Sequence, residues 1–406
     1  MNQKQKSILI VTELYPNADN SFLGTFVVNQ LQELRHYYHI VVIVPYAIGL
    51  REWMLNKKQK PIHLNNFTVY YIPQYPLMLL LLRTFKILDW PAVSYWNKKY
   101  IAPKILRLAK KLHDKYQFSL VHGHESYIGD EATIIGQILR IPSIVTIHGL
   151  YDYHKQGFGG KVMKRVVSNL NRADRLFAVS KIAATSYQQN GVNHEIDIVP
   201  NGIDERALKA MKPIPEKWQK IIKGKTVILT VGFFVKEKRF EQVIEAAAKL
   251  KEKYGGSFAI LMIGRGELES RYKKLIKEKC LENHIYIVGQ IPPNEMMSYY
   301  NACDFLVHPS IIESFSMACL EAASAGKPFI CTSNIGLTEY ITPNKEAFII
   351  PPDNIEALTE KMDILLSSAN LRKQMGEAGR ETAQKFIWKN QIHQTLSIYE
   401  QLIQAK

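Results

Sequence analysis

The sequence predicts an α/β protein built from two doubly wound parallel-sheet domains, on three observations. Short apolar, β-branched runs recur from end to end, with amphipathic helical patterns between them. The runs fall into two series separated by a turn-rich stretch. At 406 residues the chain suits two domains of about 200 residues each. The first series is Ile8–Leu14, Ile40–Pro45, Phe67–Ile72, Leu120–His122, Ile144–His148, Leu176–Val179 and Ile196–Val199. The second is Val227–Val231, Phe258–Ile263, Ile285–Val288, Phe305–His308, Phe329–Thr332 and Ala347–Ile350. Such unbroken apolar runs belong to strands buried on both faces, as parallel sheets require. Helical patterns such as Glu241–Tyr254 and Glu269–Cys280 fill the gaps. The Asn-Gly of VPNGID, 199–204, marks a tight turn, and Asn201 and Asp204 read as hinge-turn residues. The expected division is 1–200, 201–385, and a last helix in 386–406 that packs back on the first domain. In open α/β sheets ligands bind at the carboxyl ends of strands, so the expected site is the cleft between two facing domains.

A hydrophobic content of 47% and a charged content of 22% are those of a globular protein. Cys280, Cys303, Cys319 and Cys331 show no C-x-x-C spacing, which argues against a zinc site or a disulfide framework. MNQKQKS leads into a strand without a cleavage pattern, and no apolar run reaches the ~20 residues that span a bilayer. These features predict a cytoplasmic protein. The net charge of +15 is uneven: residues 1–200 hold 24 Lys and Arg against 13 Asp and Glu, the remainder 28 against 24. The basic residues are scattered among helices without a nucleic-acid motif, so nucleic acid is not expected as a partner. In residues 77–111 an apolar Leu77–Leu82 run precedes Arg83, Lys86 and aromatics interleaved with lysines. That order suits either a helix lying on an anionic membrane at the inner face of the cell membrane, or a core-facing helix with a basic flank.

The chemistry concentrates in HPSIIESFSMACLEAASAGKPFIC, 308–331. Glu313 falls on a loop after a strand and Glu321 inside the next helix. Between them the amides of Ser316, Met317 and Ala318 would open a helix N-terminus, a ready place for a phosphate. An acid, an anion cradle and a second acid in line suit a sugar, a diphosphate and a ribose. Other motif loops follow strands: Gly24 after the first, His148 in TIHG, Gly232–Lys238, and Gly264-Arg265-Gly266.

These landmarks resemble the retaining GT-B glycosyltransferases of glycosyltransferase family 4 (glycosyl transferases group 1). The resemblance rests on VPNGID, VGFFVKEKRFEQVIEAA, LMIGRGELE, VGQIPPNEMMSYYNACDFLVHPS and the E-x7-E segment, in order over about 175–395. YPNADNSFLGTFVVNQLQEL, VHGH and TIHG match more loosely. It implies a hexosyltransferase that moves a sugar from a nucleotide-sugar donor to a lipid-linked, polysaccharide or other glycan acceptor. Front-face substitution is implied, with the leaving diphosphate as base. No cofactor is expected, and without a D-x-D motif no metal either. By resemblance the catalytic set is Glu313, Lys238 and His148. The implied donor-binding set is Gly24, Gly232, Phe233, Arg239, Gly264, Arg265, Ile291, Ser316, Met317, Ala318 and Glu321. Glu313 would take donor-sugar hydroxyls, Glu321 the ribose, Lys238 the diphosphate and Ile291 the base through its backbone. Three positions depart from the family pattern. Phe233 stands where an arginine usually follows the glycine, Gly24 replaces a Gly-Gly pair, and Ser316 replaces a glycine. Either Lys236, Arg239 or Arg265 then reaches in to supply the missing charge, or stabilisation of the leaving group is weaker. The other readings of the same architecture are a nucleotide-sugar epimerase and a non-catalytic partner protein.

Overall fold

A computed structural model of the chain describes residues 5–17, 23–47, 59–74, 90–125, 128–150, 159–205 and 212–406. The chain divides into two compact units, Met1–Gly202 with Trp388–Lys406, and Ile203–Ile387.

The first unit holds an eight-stranded sheet made of β1 (Ser7–Thr12), β2 (His39–Ala47), β3 (Ile62–Leu64), β4 (Phe67–Gln74), β5 (Phe118–His124), β6 (Ser143–Ile147), β7 (Arg175–Ala178) and β8 (Ile196–Ile198). The order is β3-β4-β2-β1-β5-β6-β7-β8, and every pair except β3–β4 is parallel. The inner strands are apolar because helices cover both faces, whereas the edge strands β3 and β8 carry His63 and Asp197. On one face Ile8, Ile10, Ile40, Val42, Leu120 and Ile144 pack with Val27 and Leu31 of the helix Thr25–Leu34. Ile392, Leu396 and Tyr399 of the helix Trp388–Ala405 join that same core. The intervening residues point to the opposite face by the two-residue strand repeat. The helix Trp90–Tyr116 packs beside β2 and β4 and against the helix Glu131–Leu139. The sequence does not announce β3. It is three residues long and exposed, paired antiparallel at the sheet edge through Asn65 and Asn66, and so carries no burial pattern to read.

The second unit holds β9 (Thr226–Val231), β10 (Phe258–Ile263), β11 (Ile285–Gly289), β12 (Phe305–His308), β13 (Phe329–Thr332) and β14 (Ala347–Ile350). All pairs are parallel, in the order β11-β10-β9-β12-β13-β14. One core layer includes Ile228, Ile260, Val307 and Ile330 with Val243, Ile244 and Ala247 of the helix Phe240–Tyr254. Strand order reverses between β9, β10 and β12, and at such a switch point the loops leaving the carboxyl ends diverge to leave a crevice. Those loops carry Gly232–Lys238, Gly264–Gly266 and Glu313.

Candidate active site

The loop after β12 is pinned from three sides. Ile311 donates its amide to the Glu237 carbonyl at 2.9 Å, which ties the loop to the turn bearing Lys238. Glu313 donates its amide to the Asn334 carbonyl at 3.0 Å, and Gly336 donates back to the Glu313 carbonyl at 3.1 Å. Thr332 Oγ1 donates to the Ser310 carbonyl at 2.5 Å. The side chain of Glu313 therefore projects from a fixed backbone.

Three donors converge on one oxygen of that carboxylate. Lys238 Nζ pairs with Oε1, Ser310 Oγ donates to it at 2.9 Å, and His308 Nε2 lies 2.7 Å from it. A carboxylate accepts only, so Nε2 carries the His308 proton. Burial pushes the Glu313 carboxyl up, but Lys238 and His308 override it and hold it well below the usual carboxylate range. Oε2 has no partner among the described residues, and it is the oxygen left to accept from a ligand hydroxyl. His308 and Ser310 were not singled out from the sequence. Both lie in the HPS that ends β12, where a histidine at a strand end reads as core.

The anion cradle follows at once. The helix Met317–Ser324 begins at Ser316, whose φ of 82° lies in the left-handed region that a glycine would enter without strain. Its hydroxyl caps the helix by accepting from the Cys319 amide at 3.4 Å. The amides of Met317 and Ala318 make no hydrogen bond among the described residues and stay available to an anion. One turn further in, burial pushes the Glu321 carboxyl up to about 7, with Tyr300 opposing the rise. The buried Tyr300 hydroxyl nevertheless makes no hydrogen bond of normal geometry. The two groups lie side by side on neighbouring helices.

The glycines here keep backbones in contact. A β carbon at Gly264 would lie 1.8 Å from the Gly232 carbonyl oxygen, and one at Gly266 would lie 2.4 Å from that of Phe234. Between them Phe233 is 55% exposed, a large apolar side chain at the surface. Of the cations expected to replace an arginine there, Arg239 is already engaged: Nε donates to Asp353 Oδ1 at 2.7 Å and Nη2 to Oδ2 at 3.3 Å. Arg265 and Lys236 are exposed and make no side-chain ion pair among the described residues. Ile291, in the loop after β11, makes no backbone hydrogen bond with the described residues.

His148 and Gly24 belong to the first unit. His148 Nε2 lies 3.0 Å from His124 Nδ1, and the ring meets Phe26 at 4.9 Å between centroids. Burial, then the neighbouring His124, drive its pKa well below the ordinary histidine value, so the ring is neutral. Gly24 has a φ of 65°, and a β carbon there would lie 2.1 Å from the Leu14 carbonyl oxygen. Backbone packing alone therefore demands a glycine at that position.

Comparison with known proteins decides the class. Residues 214–382 match the model of the glycosyl transferases group 1, and residues 27–207 match that of glycosyltransferase family 4. The chain belongs to glycosyltransferase family 4. Family members of similar sequence include an uncharacterized glycosyltransferase of Methanocaldococcus jannaschii, 26% identical over 73% of this chain and 79% of that protein. N-acetyl-alpha-D-glucosaminyl L-malate synthase of Bacillus anthracis is 24% identical over 95% of this chain and 94% of its own. Among solved structures, sucrose-phosphate synthase from Thermosynechococcus elongatus superposes with a TM-score of 0.76 at 20% identity, over 99% of this chain and 100% of that one. HepE of Anabaena in complex with UDP gives 0.71 at 16% identity, over 98% and 100%. These likenesses establish the GT-B fold of this family-4 glycosyltransferase.

Proposed function

We propose that this glycosyltransferase moves a hexose from a nucleotide-sugar donor to a glycan or lipid-linked acceptor, with retention at the anomeric carbon. One observation carries the reading. Within a single unit, an ionised Glu313 with one open oxygen, two unpaired helix amides and a second carboxyl, Glu321, follow one another along 313–321. In this reading Glu313 Oε2 accepts from donor-sugar hydroxyls, the Met317 and Ala318 amides hold the diphosphate, and Glu321 accepts from the ribose. Ile291 offers backbone to the base. Lys238 stabilises charge on the departing diphosphate while it orients Glu313.

Glu313 is held ionised by its partners, so it neither protonates the leaving group nor carries the acceptor proton. The bond from the anomeric carbon to the diphosphate breaks with its electron pair leaving on the phosphate oxygen. The acceptor hydroxyl bonds to the same face of that carbon, and its proton passes to the departing oxygen. The diphosphate is held by amides and Lys238, without a metal or other cofactor. Solved HepE carries UDP or UDP-glucose in its complexes, which makes UDP-hexoses the first donors to try.

A membrane-associated acceptor is supported by the outward face of the helix Trp90–Tyr116, where Lys99, Arg107, Lys110, Lys111 and Lys115 are exposed and Tyr100 is 51% exposed. Leu77–Leu82 lie outside the described residues. Among the described residues no helix is long and apolar enough to cross a membrane. The test is a panel of UDP- and other nucleotide hexoses with mixed acceptors, with the product anomer read by NMR. An α-linked product from an α-linked donor is expected. An inverted product, or donor conversion that needs no acceptor, would overturn the reading, and the latter would favour an epimerase.

A further inference from the structure

His308 ends β12 and is 1% exposed. Phe305 and Val307 of that strand join the core layer on one face of the sheet, so the two-residue repeat sends His308 to the other. There it stands in register with Cys331 of β13, in a loop-to-strand frame that fixes the ring. Nε2 lies 2.7 Å from Glu313 Oε1, while Nδ1 is buried with no partner among the described residues.

A histidine that serves packing has a different surrounding. His122 in the first unit is also buried, and its Nδ1 lies 2.5 Å from the Tyr399 hydroxyl and its Nε2 2.7 Å from Thr146 Oγ1. Burying an imidazole nitrogen without a partner costs stability that an apolar side chain of similar size would not. At His308 the polar contact set against that cost is the bond to Glu313.

The three donors on Oε1 differ in freedom. Lys238 reaches in from the turn after β9 on a long stem and is 21% exposed, and Ser310 offers a neutral hydroxyl that rotates. The ring of His308 is the rigid member. In the transferase reading Lys238 also meets charge on the departing diphosphate, so its hold on Glu313 weakens as that charge develops. Lys238, then His308, oppose the burial that would push the Glu313 carboxyl up.

We propose that His308 is a positioning residue for the transfer: its Nε2–H keeps Oε1 of Glu313 in place while Lys238 serves the diphosphate, so that Oε2 stays turned to the donor sugar. The role deepens the transferase reading and rests on it for the sugar contact.

The test uses the full chain with His308→Gln, His308→Asn and His308→Leu. Glutamine carries an amide N–H to about where Nε2 stood, asparagine stops near Nδ1, and leucine has no donor. Isothermal titration reads affinity for UDP, UDP-glucose, UDP-galactose and UDP-N-acetylglucosamine. Carbon-13 NMR reads the Glu313 carboxyl, whose resonance is identified by its loss in Glu313→Gln. In His308→Leu and His308→Asn, affinity for the best-bound UDP-hexose relative to UDP should fall roughly tenfold, and His308→Gln should keep most of it. On the Glu313→Gln background His308→Leu should cause no further fall, because it acts through that carboxylate. The Glu313 resonance should titrate at higher pH in His308→Leu and His308→Asn than in the wild type. His308→Asn decides should His308→Leu not fold. An unchanged affinity ratio in both variants, a further fall on the Glu313→Gln background, or a Glu313 resonance that titrates as in the wild type would overturn the proposal. If the wild type binds none of these nucleotides while the Glu313 resonance still moves, the donor reading falls and the hold of His308 on Glu313 stands.

Discussion

Replacing Lys238 with methionine removes the cation from the Lys238–Glu313 pair while keeping most of its side-chain volume. The two side chains are 21% and 17% exposed, between the surface and buried limits for ion pairs. Exposed pairs contribute under ~1 kcal/mol, and removing one partner of a fully buried pair costs about 3–5 kcal/mol. His308 and Ser310 continue to donate to Glu313, so a loss of about 2 kcal/mol is expected. For a unit of this size that lowers Tm by roughly 4–8 °C. Turnover should fall at least about tenfold, the equivalent of ~1.4 kcal/mol in the barrier, because the departing diphosphate loses its lysine. The pH dependence carries a definite sign. The folded Glu313 carboxyl titrates below its unfolded value, so its contribution is present above the ordinary carboxylate range and is lost on acidification below it. Lys238→Met should flatten that acid-side loss, and Glu313→Gln should abolish it. Thermal unfolding between pH 3 and 8, with release of UDP from a competent donor, measures all of this. A Lys238→Met protein with full turnover and an unchanged acid limb would refute the reasoning, since neither the leaving group nor Glu313 would then depend on the lysine.

Affinity for UDP-glucose, whose diphosphate does not titrate near neutrality, should weaken as pH falls through about 7, because Glu321 must be ionised to accept from two ribose hydroxyls. Glu321→Gln should bind more weakly and lose the pH dependence, which isothermal titration at pH 6, 7 and 8 will read. Ser316→Gly relieves a φ of 82° and costs only the cap, so unfolding should show a gain of about 0.5–1 kcal/mol, whereas Ser316→Ala should lose about 1 kcal/mol. Phe233→Arg should tighten UDP-glucose binding several-fold, and Arg265→Ala should loosen it, in the same titration. Co-sedimentation with liposomes should show binding to anionic but not neutral lipid, fading with salt, at about 1 kcal/mol per basic residue that reaches the surface.

What was legible in the sequence followed from local rules. Thirteen of the fourteen strands were readable as short apolar or β-branched runs, most of them because both faces are covered, and only the exposed edge strand β3 escaped that signature. Glu313 and Glu321 stood out because a strand, a turn and a helix start are all readable within nine residues of one another. Their partners did not stand out. That His308 and Ser310 share one oxygen of Glu313 depends on how the loop folds back over β12, a three-dimensional fact that spacing does not encode. Ser316 was readable as opening the helix, but not that its hydroxyl caps it by accepting from the Cys319 amide.

The cations of the second unit explain why Phe233 is tolerable. A diphosphate carries charge that must be met as it leaves, yet the lysine beside it is shared with Glu313 and Arg239 is clamped by Asp353. An arginine at 233 would add a guanidinium close to Lys238, and in the unliganded protein the two would repel while Glu313 could pair with only one of them well. Phenylalanine removes that competition and leaves the Lys238–Glu313 pair intact. In the proposed reading the Met317 and Ala318 amides and Arg265, which makes no ion pair among the described residues, share the stabilisation of the leaving group with Lys238. Fixed amides also carry no reorganisation cost at the moment of bond cleavage, whereas a flexible side chain must first be ordered. The prediction that Phe233→Arg tightens binding therefore carries a corollary: part of the gain should be offset by a weaker Lys238–Glu313 pair, seen as an earlier acid-side loss of stability in that variant.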